Sequence, residues 1–236
     1  MRGWALALAL ALATAASAAE PVRLTKPISA SAFPRIAAPT GPGAAKINAA
    51  LARLDRRWAE FARDCRKAGK DNEATRQVKA TMVGPRFLSL VASDEEFCGG
   101  AHPDNSTLAL VYDLESGGPV DWRSLLGPRL TASTRVDTVI DGSRIGTAGS
   151  PELSRLYQRA LRKSPDFDPA WWKECAEALQ DPDLQFVLWP DTKSRGLVAE
   201  PVLVHAVAPC AEDATIPAAE LRQSGADAAF TAALGG

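Results

Sequence analysis

His102 is the residue in this sequence whose surroundings could support acid–base chemistry. It follows a glycine pair, Gly99 and Gly100, in the segment CGGAHP, and Asp104 comes two residues later. An imidazole oriented by a carboxylate can move a proton near neutral pH, so His102 with Asp104 or Asp113 is a candidate catalytic base or ligand contact. The glycines equally fit a structural corner, because they adopt backbone angles that side chains forbid. We favour the corner and expect His102, Gly99, Gly100 and Asp104 to bind a ligand rather than catalyse a reaction.

Two cysteines and two histidines raise a metal-binding alternative. The spacings Cys98-x3-His102 and His205-x4-Cys210 supply the four ligands of a tetrahedral zinc site. Irregular spacing, a second cysteine pair and an oxidising compartment favour disulfides instead. We therefore expect no metal site. The glycine loop DGSRIG at 141–146 lacks phosphate-loop spacing, and we expect no cofactor.

The first 18 residues are typical of a secretory signal peptide. Arg2 precedes an apolar run from Trp4 to Ala13, and Ala16-Ser17-Ala18 supplies small residues for cleavage. The run is shorter than the roughly 20 residues that a membrane helix needs, and we expect no membrane span in the mature chain. The sequence therefore predicts a signal peptide at 1–18 and a single periplasmic or secreted domain at 19–236.

The exported part contains four cysteines: Cys65, Cys98, Cys175 and Cys210. An even number in an exported chain predicts two disulfides, and three pairings are possible. The chain order favours Cys65–Cys98 and Cys175–Cys210, one in an N-terminal half at about 21–126 and one in a C-terminal half at about 127–236. Each would contribute about 3 to 4 kcal/mol by closing its loop in the unfolded chain.

The elements that must position these residues can be placed from the apolar spacing. One stripe at intervals of four and three residues predicts a long helix, with these members: Ile47, Leu51, Leu54, Trp58, Phe61 and Cys65. Alternation and turn residues predict strands at 74–83, 86–93 and 106–113, then at 184–189, 196–200 and 202–208. Proline after a capping residue predicts helices beginning after Ser150 and Asp168, and a short helix at 218–223. Helices mixed with antiparallel hairpins predict an α+β fold in which antiparallel sheets pack against the long helix and the two middle helices.

CGGAHP, the strand after it and the turn YDLESGGPVDWRSLL resemble the extracytoplasmic domain family shared by the anti-sigma factor RsiV and the peptidoglycan deacetylase PdaC. The residues that match are Gly99, Gly100, Ala101, His102, Asp113, Leu114, Ser116, Gly117, Leu125 and Leu126. The resemblance implies an α+β envelope domain, and RsiV itself binds lysozyme. We expect neither of their activities here, because a predicted cleavable signal stands in place of the membrane helix of RsiV, and the sequence does not supply the aspartates and spaced histidines of the deacetylase.

Charge and composition narrow the function further. The chain has a formal net charge of −1 without a basic stripe, which argues against nucleic acid as a partner. Tryptophans at 58, 171, 172 and 189 could form a glycan platform, although we expect most of them in the core. We favour a binding module of the bacterial cell envelope whose partner is a lysozyme-like protein or a peptidoglycan fragment. The alternatives are an envelope hydrolase that uses His102 with a nearby carboxylate, and a purely structural periplasmic protein.

Overall fold

The computed structural model describes residues 20–39, 41–133, 135–140 and 142–235, so the predicted signal peptide lies outside the described residues. Helices are interspersed with groups of antiparallel strands along the chain. In order they are α1 Pro42–Ala68, β1 Glu73–Val83, β2 Phe87–Phe97, β3 Asp104–Asp113, β4 Gly118–Pro119, α2 Trp122–Leu126, β5 Arg135–Ile140, β6 Ser143–Thr147, α3 Pro151–Arg162, α4 Pro169–Leu179, β7 Phe186–Asp191, β8 Gly196–Pro201, a 3₁₀ helix His205–Cys210, β9 Ala214–Pro217, α5 Ala218–Gln223 and α6 Ala228–Ala233.

The strands form antiparallel sheets, which confirms the predicted α+β fold. The first sheet has the order β1-β2-β3-β4, the second has the order β7-β8-β9, and β5 pairs with β6 as a hairpin. Short connections join most neighbouring strands, as expected for antiparallel pairing, whereas β8 and β9 are joined by residues 202–213. A large core cluster draws buried residues from both halves of the chain, including Phe87 and Val111 from the first sheet and Phe186 and Leu197 from the second.

Helix α1 covers one face of the first sheet. Its apolar stripe buries Ile47, Leu51 and Leu54 against strand residues such as Leu90 and Leu110. The stripe is less buried toward the C-terminal end, where Trp58 is half-buried and the side chain of Phe61 is 39% exposed. At that level a surface cavity opens between α1 and the first sheet. The prediction of a continuous core-facing stripe is therefore correct only up to Leu54 and again at Cys65.

The turn between β3 and β4 is fitted to the start of α1. Gly117 has a φ of +66°, and a Cβ at this position would lie 2.2 Å from the Cα of Gly43. Asp113 closes the same turn, because its carboxylate accepts a hydrogen bond from the backbone N–H of Glu115 at 2.8 Å. Glycine at 117 is therefore required both for the backbone angle and for the close approach of α1.

Two disulfides join helices to the segments beside them. Cys65 at the end of α1 bonds Cys98, and Cys175 in α4 bonds Cys210, with Cα atoms 4.9 and 5.4 Å apart. Both predicted pairings are confirmed. In the part of the chain that the structure describes, no helix combines the length and the apolar character needed to cross a membrane.

One predicted element is wrong. Residues 202–208 were expected to form a strand, but His205–Cys210 is a 3₁₀ helix, and the third strand of the second sheet is β9. Pro209 has no N–H to donate to a strand neighbour, and Cys210 must reach α4 to form its disulfide. The compact helical turn satisfies both requirements.

Candidate binding site

The glycine–histidine segment forms the connection between β2 and β3. Gly99 has a φ of +90°, a backbone conformation that glycine adopts readily, whereas Gly100 has no positive φ. His102 and Asp104 follow, and all four candidate residues are exposed to solvent. The segment is thus a surface corner at the end of a long hairpin.

His102 contacts the other histidine of the chain. The rings of His102 and His205 stack with centroids 5.3 Å apart and planes inclined by 27°. His205 opens the 3₁₀ helix instead of lying in the strand expected at 202–208, and its side chain is exposed. The contact joins the hairpin corner to the C-terminal half of the chain.

The expected carboxylate partners of His102 lie elsewhere. Asp113 stands at the opposite end of β3, about 30 Å away at the rise of an extended strand. Its carboxylate binds Arg86 at 3.1 Å. Asp104 lies directly across from Glu96 in the strand register. Burial raises the pKa of the Glu96 carboxyl, and the nearby charge of Asp104 raises it further. The structure therefore pairs His102 with an imidazole and Asp104 with another acid.

Disulfide bonding removes the thiolates that the zinc alternative requires. Cys98 and Cys210 are both oxidised, and a disulfide sulfur does not supply the anionic ligand of a zinc site. His102 and His205 do come together, but without the two cysteine ligands. Among the described residues, no cluster of three or more His, Cys, Asp or Glu side chains could hold a metal ion.

The outer part of the β2–β3 hairpin presents different side chains on its two faces. Side chains alternate along a strand, so Glu95 and Thr107 lie on one face while Asp94, Glu96 and Leu108 lie on the other. Cys98 ties the corner to α1 on one side, and the stacked His102 contacts the 3₁₀ helix on the other. The hairpin is held between the two halves of the molecule.

A groove of about 680 Å³ lies between the hairpin and the segment that follows β8. We call this cavity the groove. Its lining residues are Ser93, Asp94, Glu95, Asn105, Ser106, Thr107, Val187, Glu200, Pro201, Val202, Leu203, His205, Ala208, Pro209 and Ala211. Val202 is 49% exposed, so the far wall offers apolar surface. The lining contains no lysine or arginine, and of its three acidic residues Asp94 is paired with Arg76, so Glu95 and Glu200 make the groove acidic.

Glu200 is half-buried on β8. Burial raises the pKa of its carboxyl, and the charge of Asp213 raises the pKa further. A hydrogen bond from the Thr107 side chain and the charge of Lys79 oppose the increase. Thr107 belongs to β3 and Glu200 to β8, so the groove brings together residues of the two sheets. Glu200 could not be found from the sequence, where nothing distinguishes it from the other acids.

The tryptophans do not form one platform. Trp189 is buried at 2% exposure, while Trp171 and Trp172 are half-buried on α4, where the ring of Trp172 lies under the guanidinium of Arg162. Trp58 is half-buried on α1. The prediction that most tryptophans lie in the core holds for Trp189 and only in part for the others.

The structure is that of an α+β protein with two disulfides and an acidic surface groove lined by polar and apolar side chains. Protein-family models give no match to the chain, and curated proteins give none either. Among solved structures, it is similar to the crystal structure of a DUF3298 family protein from Pseudomonas aeruginosa PAO1. The two are 14% identical, the match covers 80% of each chain, and the TM-score is 0.43. The RsiV-like resemblance stays a prediction, and function must be argued from the geometry of this chain.

Proposed function

We propose that the exported part of this chain, residues 19–236, is a binding module of the bacterial cell envelope that holds a basic protein ligand in the groove. The observation that carries the proposal is the acidic lining of the groove, where Glu95 and Glu200 occur without lysine or arginine. A net charge of −1 for the whole chain means that the attraction is local to this surface. The two disulfides support a periplasmic or secreted location.

Apolar surface beside the acids supports a protein ligand over a highly charged small ion. Val202 lines the groove and is 49% exposed, and Val204, two residues further along the chain, is 72% exposed. Interfaces combine apolar contact area with charges that select the partner and speed association. A basic protein such as lysozyme meets both requirements. The module holds it between the hairpin corner at His102 and the segment at 202–211.

Binding of lysozyme to the purified chain tests this proposal. We expect binding that weakens as NaCl rises from 50 to 300 mM, because surface attraction is screened over about 10 Å. Glu95→Lys and Val202→Arg should each weaken binding at least about tenfold, whereas Glu177→Lys on α4 and Ile28→Arg on the N-terminal arm should not. Glu177 and Ile28 are exposed residues outside the groove. The two control variants therefore make the same kinds of substitution as Glu95→Lys and Val202→Arg at other surface positions.

Two results would overturn the protein-ligand proposal. One is absence of lysozyme binding at 50 mM NaCl by a chain that is folded by circular dichroism. The other is binding that Glu95→Lys and Val202→Arg leave unchanged. If a soluble peptidoglycan fragment binds the groove instead, and these variants abolish its binding, the ligand is a peptidoglycan fragment.

A hydrolase is the second candidate, favoured by one observation. Glu200, whose pKa is raised by burial, and His205 line the same groove, and His102 stacks on His205. A raised carboxyl pKa suits a general acid. Release of soluble products from purified peptidoglycan, abolished by Glu200→Gln and by His102→Ala, would support this function. If the chain releases no soluble product at concentrations at which known hydrolases are active, the hydrolase function is eliminated.

A further inference from the structure

A second cavity lies on the opposite face of the hairpin from the groove. It measures about 270 Å³ and opens between α1 and the first sheet. We call this cavity the notch. Its lining residues are Leu54, Arg57, Trp58, Phe61, Arg76, Asp94, Glu96 and Leu108. The volume is slightly below that of a typical small-molecule site, so the notch is suited to about one ring.

Aromatic and aliphatic side chains make the walls of the notch. The rings of Trp58 and Phe61 lie 5.5 Å apart at an angle of 39°, and Phe61 is 39% exposed. Leu108 is half-buried on the sheet side. An exposed pair of aromatic rings at a helix surface is unusual, because burial of such rings normally stabilises the fold.

A fixed polar group forms the floor. The guanidinium of Arg76 binds Asp94 through two hydrogen bonds, Nε to Oδ1 at 2.6 Å and Nη2 to Oδ2 at 2.5 Å. The Arg76 side chain is 6% exposed and also stacks on Trp58, with its Cζ 4.0 Å from the ring centroid. Within the described residues, the third nitrogen, Nη1, has no hydrogen-bond acceptor. A nearly buried donor is thus positioned beside an aromatic wall.

The charges of the notch favour a neutral ligand. Two positive and two negative side chains line it, and Arg76 and Asp94 neutralise each other. Glu96 adds a carboxyl at the edge, whose pKa is raised by burial first and then by the charges of Asp104 and Asp94. A bound group must satisfy a donor and a carboxyl along its rim and present an apolar face to Trp58 and Phe61. A purely apolar side chain would leave these polar groups unmatched.

We infer that the notch binds one ring of an N-acylated amino sugar. The ring stacks its C–H face against Trp58 and Phe61, its acyl carbonyl accepts a hydrogen bond from Arg76 Nη1, and a ring hydroxyl donates to Glu96. The acyl methyl group packs against Leu108. The notch and the groove share only Asp94, which Arg76 holds on the notch side, so sugar binding and protein binding can fail independently.

Titration with N,N′-diacetylchitobiose tests the inference, with the unacylated disaccharide of glucosamine as the comparison. We expect a change in tryptophan fluorescence and a dissociation constant that weakens at least about tenfold for the unacylated sugar. Phe61→Ala should weaken binding of the acylated sugar at least about tenfold, since it removes an exposed stacking surface. Trp58→Leu should have the same effect and abolish the fluorescence change.

Two control variants distinguish the notch from other surfaces. Trp171→Leu replaces another half-buried tryptophan, on α4, and should leave sugar binding unchanged. Glu95→Gln and Glu96→Gln alter neighbouring residues on opposite faces of the hairpin. Only Glu96→Gln should therefore weaken binding of the sugar. Phe61→Ala should leave lysozyme binding intact, which separates this inference from the function proposed for the groove.

Three results would overturn the inference. The first is no saturable binding of N,N′-diacetylchitobiose to the folded chain up to 50 mM. The second is binding that neither Phe61→Ala nor Trp58→Leu weakens. The third is equal or tighter binding of an indole-containing peptide at the same residues, which would assign the notch to a protein side chain.

Discussion

Arg76 and Asp94 stand directly across from each other on β1 and β2 and form a buried ion pair with two hydrogen bonds. Both residues are less than a tenth exposed. Charges removed from water in this way depend on one another, because loss of either leaves the other desolvated and unpaired. The pair therefore fixes the position of the notch floor as well as the register of two strands.

Asp94→Ala should destabilise the protein by about 3 to 5 kcal/mol, because it leaves the Arg76 guanidinium buried without its partner. The double variant Arg76→Leu/Asp94→Leu should recover most of that loss. Urea unfolding measures both values. Asp64→Ala is the matched control: its contacts with Arg63 and Lys67 are exposed, and it should change stability by less than about 0.5 kcal/mol. A double variant as unstable as Asp94→Ala would contradict the prediction.

Gly117→Ala should destabilise the protein by about 2 to 4 kcal/mol. The substitution combines a left-handed backbone conformation with overpacking against Gly43. Gly118→Ala is the control, because its Cβ would meet only the Ser116 side chain at 3.6 Å. Thermal and urea unfolding of the two variants should differ clearly. Similar stabilities would show that the turn moves away from α1 at little cost.

Each disulfide should contribute about 3 to 4 kcal/mol, given sequence separations of 33 and 35 residues. Native protein without reductant should show no reactive thiol, and four should appear after denaturation with reductant. Cys65→Ala/Cys98→Ala and Cys175→Ala/Cys210→Ala should lose similar stability in urea. Reactive thiols in the native, unreduced protein would contradict the pairing.

The carboxyl of Glu200 should make stability depend on pH. Its folded pKa lies above the ordinary value of 4.5, so the folded state binds more protons than the unfolded chain just above that pH. The free energy of unfolding should therefore fall as pH rises through this interval. Glu200→Gln should remove this fall and be more stable than the wild type at pH 8, with a smaller difference at pH 4.

Thr107→Val provides the opposite test of the same group. The Thr107 hydrogen bond favours the ionised carboxylate, so its loss should make the decrease in stability with pH larger. Urea unfolding from pH 4 to 8 gives both comparisons. An unchanged profile in both variants would show that Glu200 is solvated in the folded protein.

Local patterns in the sequence determined much of the architecture. The helix stripe placed Ile47, Leu51 and Leu54 in the core, capping residues located α3 and α4, and the order of the cysteines gave both disulfides. The helices depend on residues a few positions apart in the chain, and the disulfides depend on the four cysteines. The strand expected at 202–208 was wrong, because the disulfide at Cys210 and Pro209 override the strand propensity of the valines.

Only the tertiary structure decided what the candidate residues contact. It placed His102 on His205, paired Asp104 with Glu96, selected Glu200 from many acids, and set Arg76 beneath Trp58. Each contact joins segments that are distant in the chain, and no local spacing records them. Sequence determines which residues can occupy one face of an element, whereas packing between elements decides which faces meet and which charges lose their water.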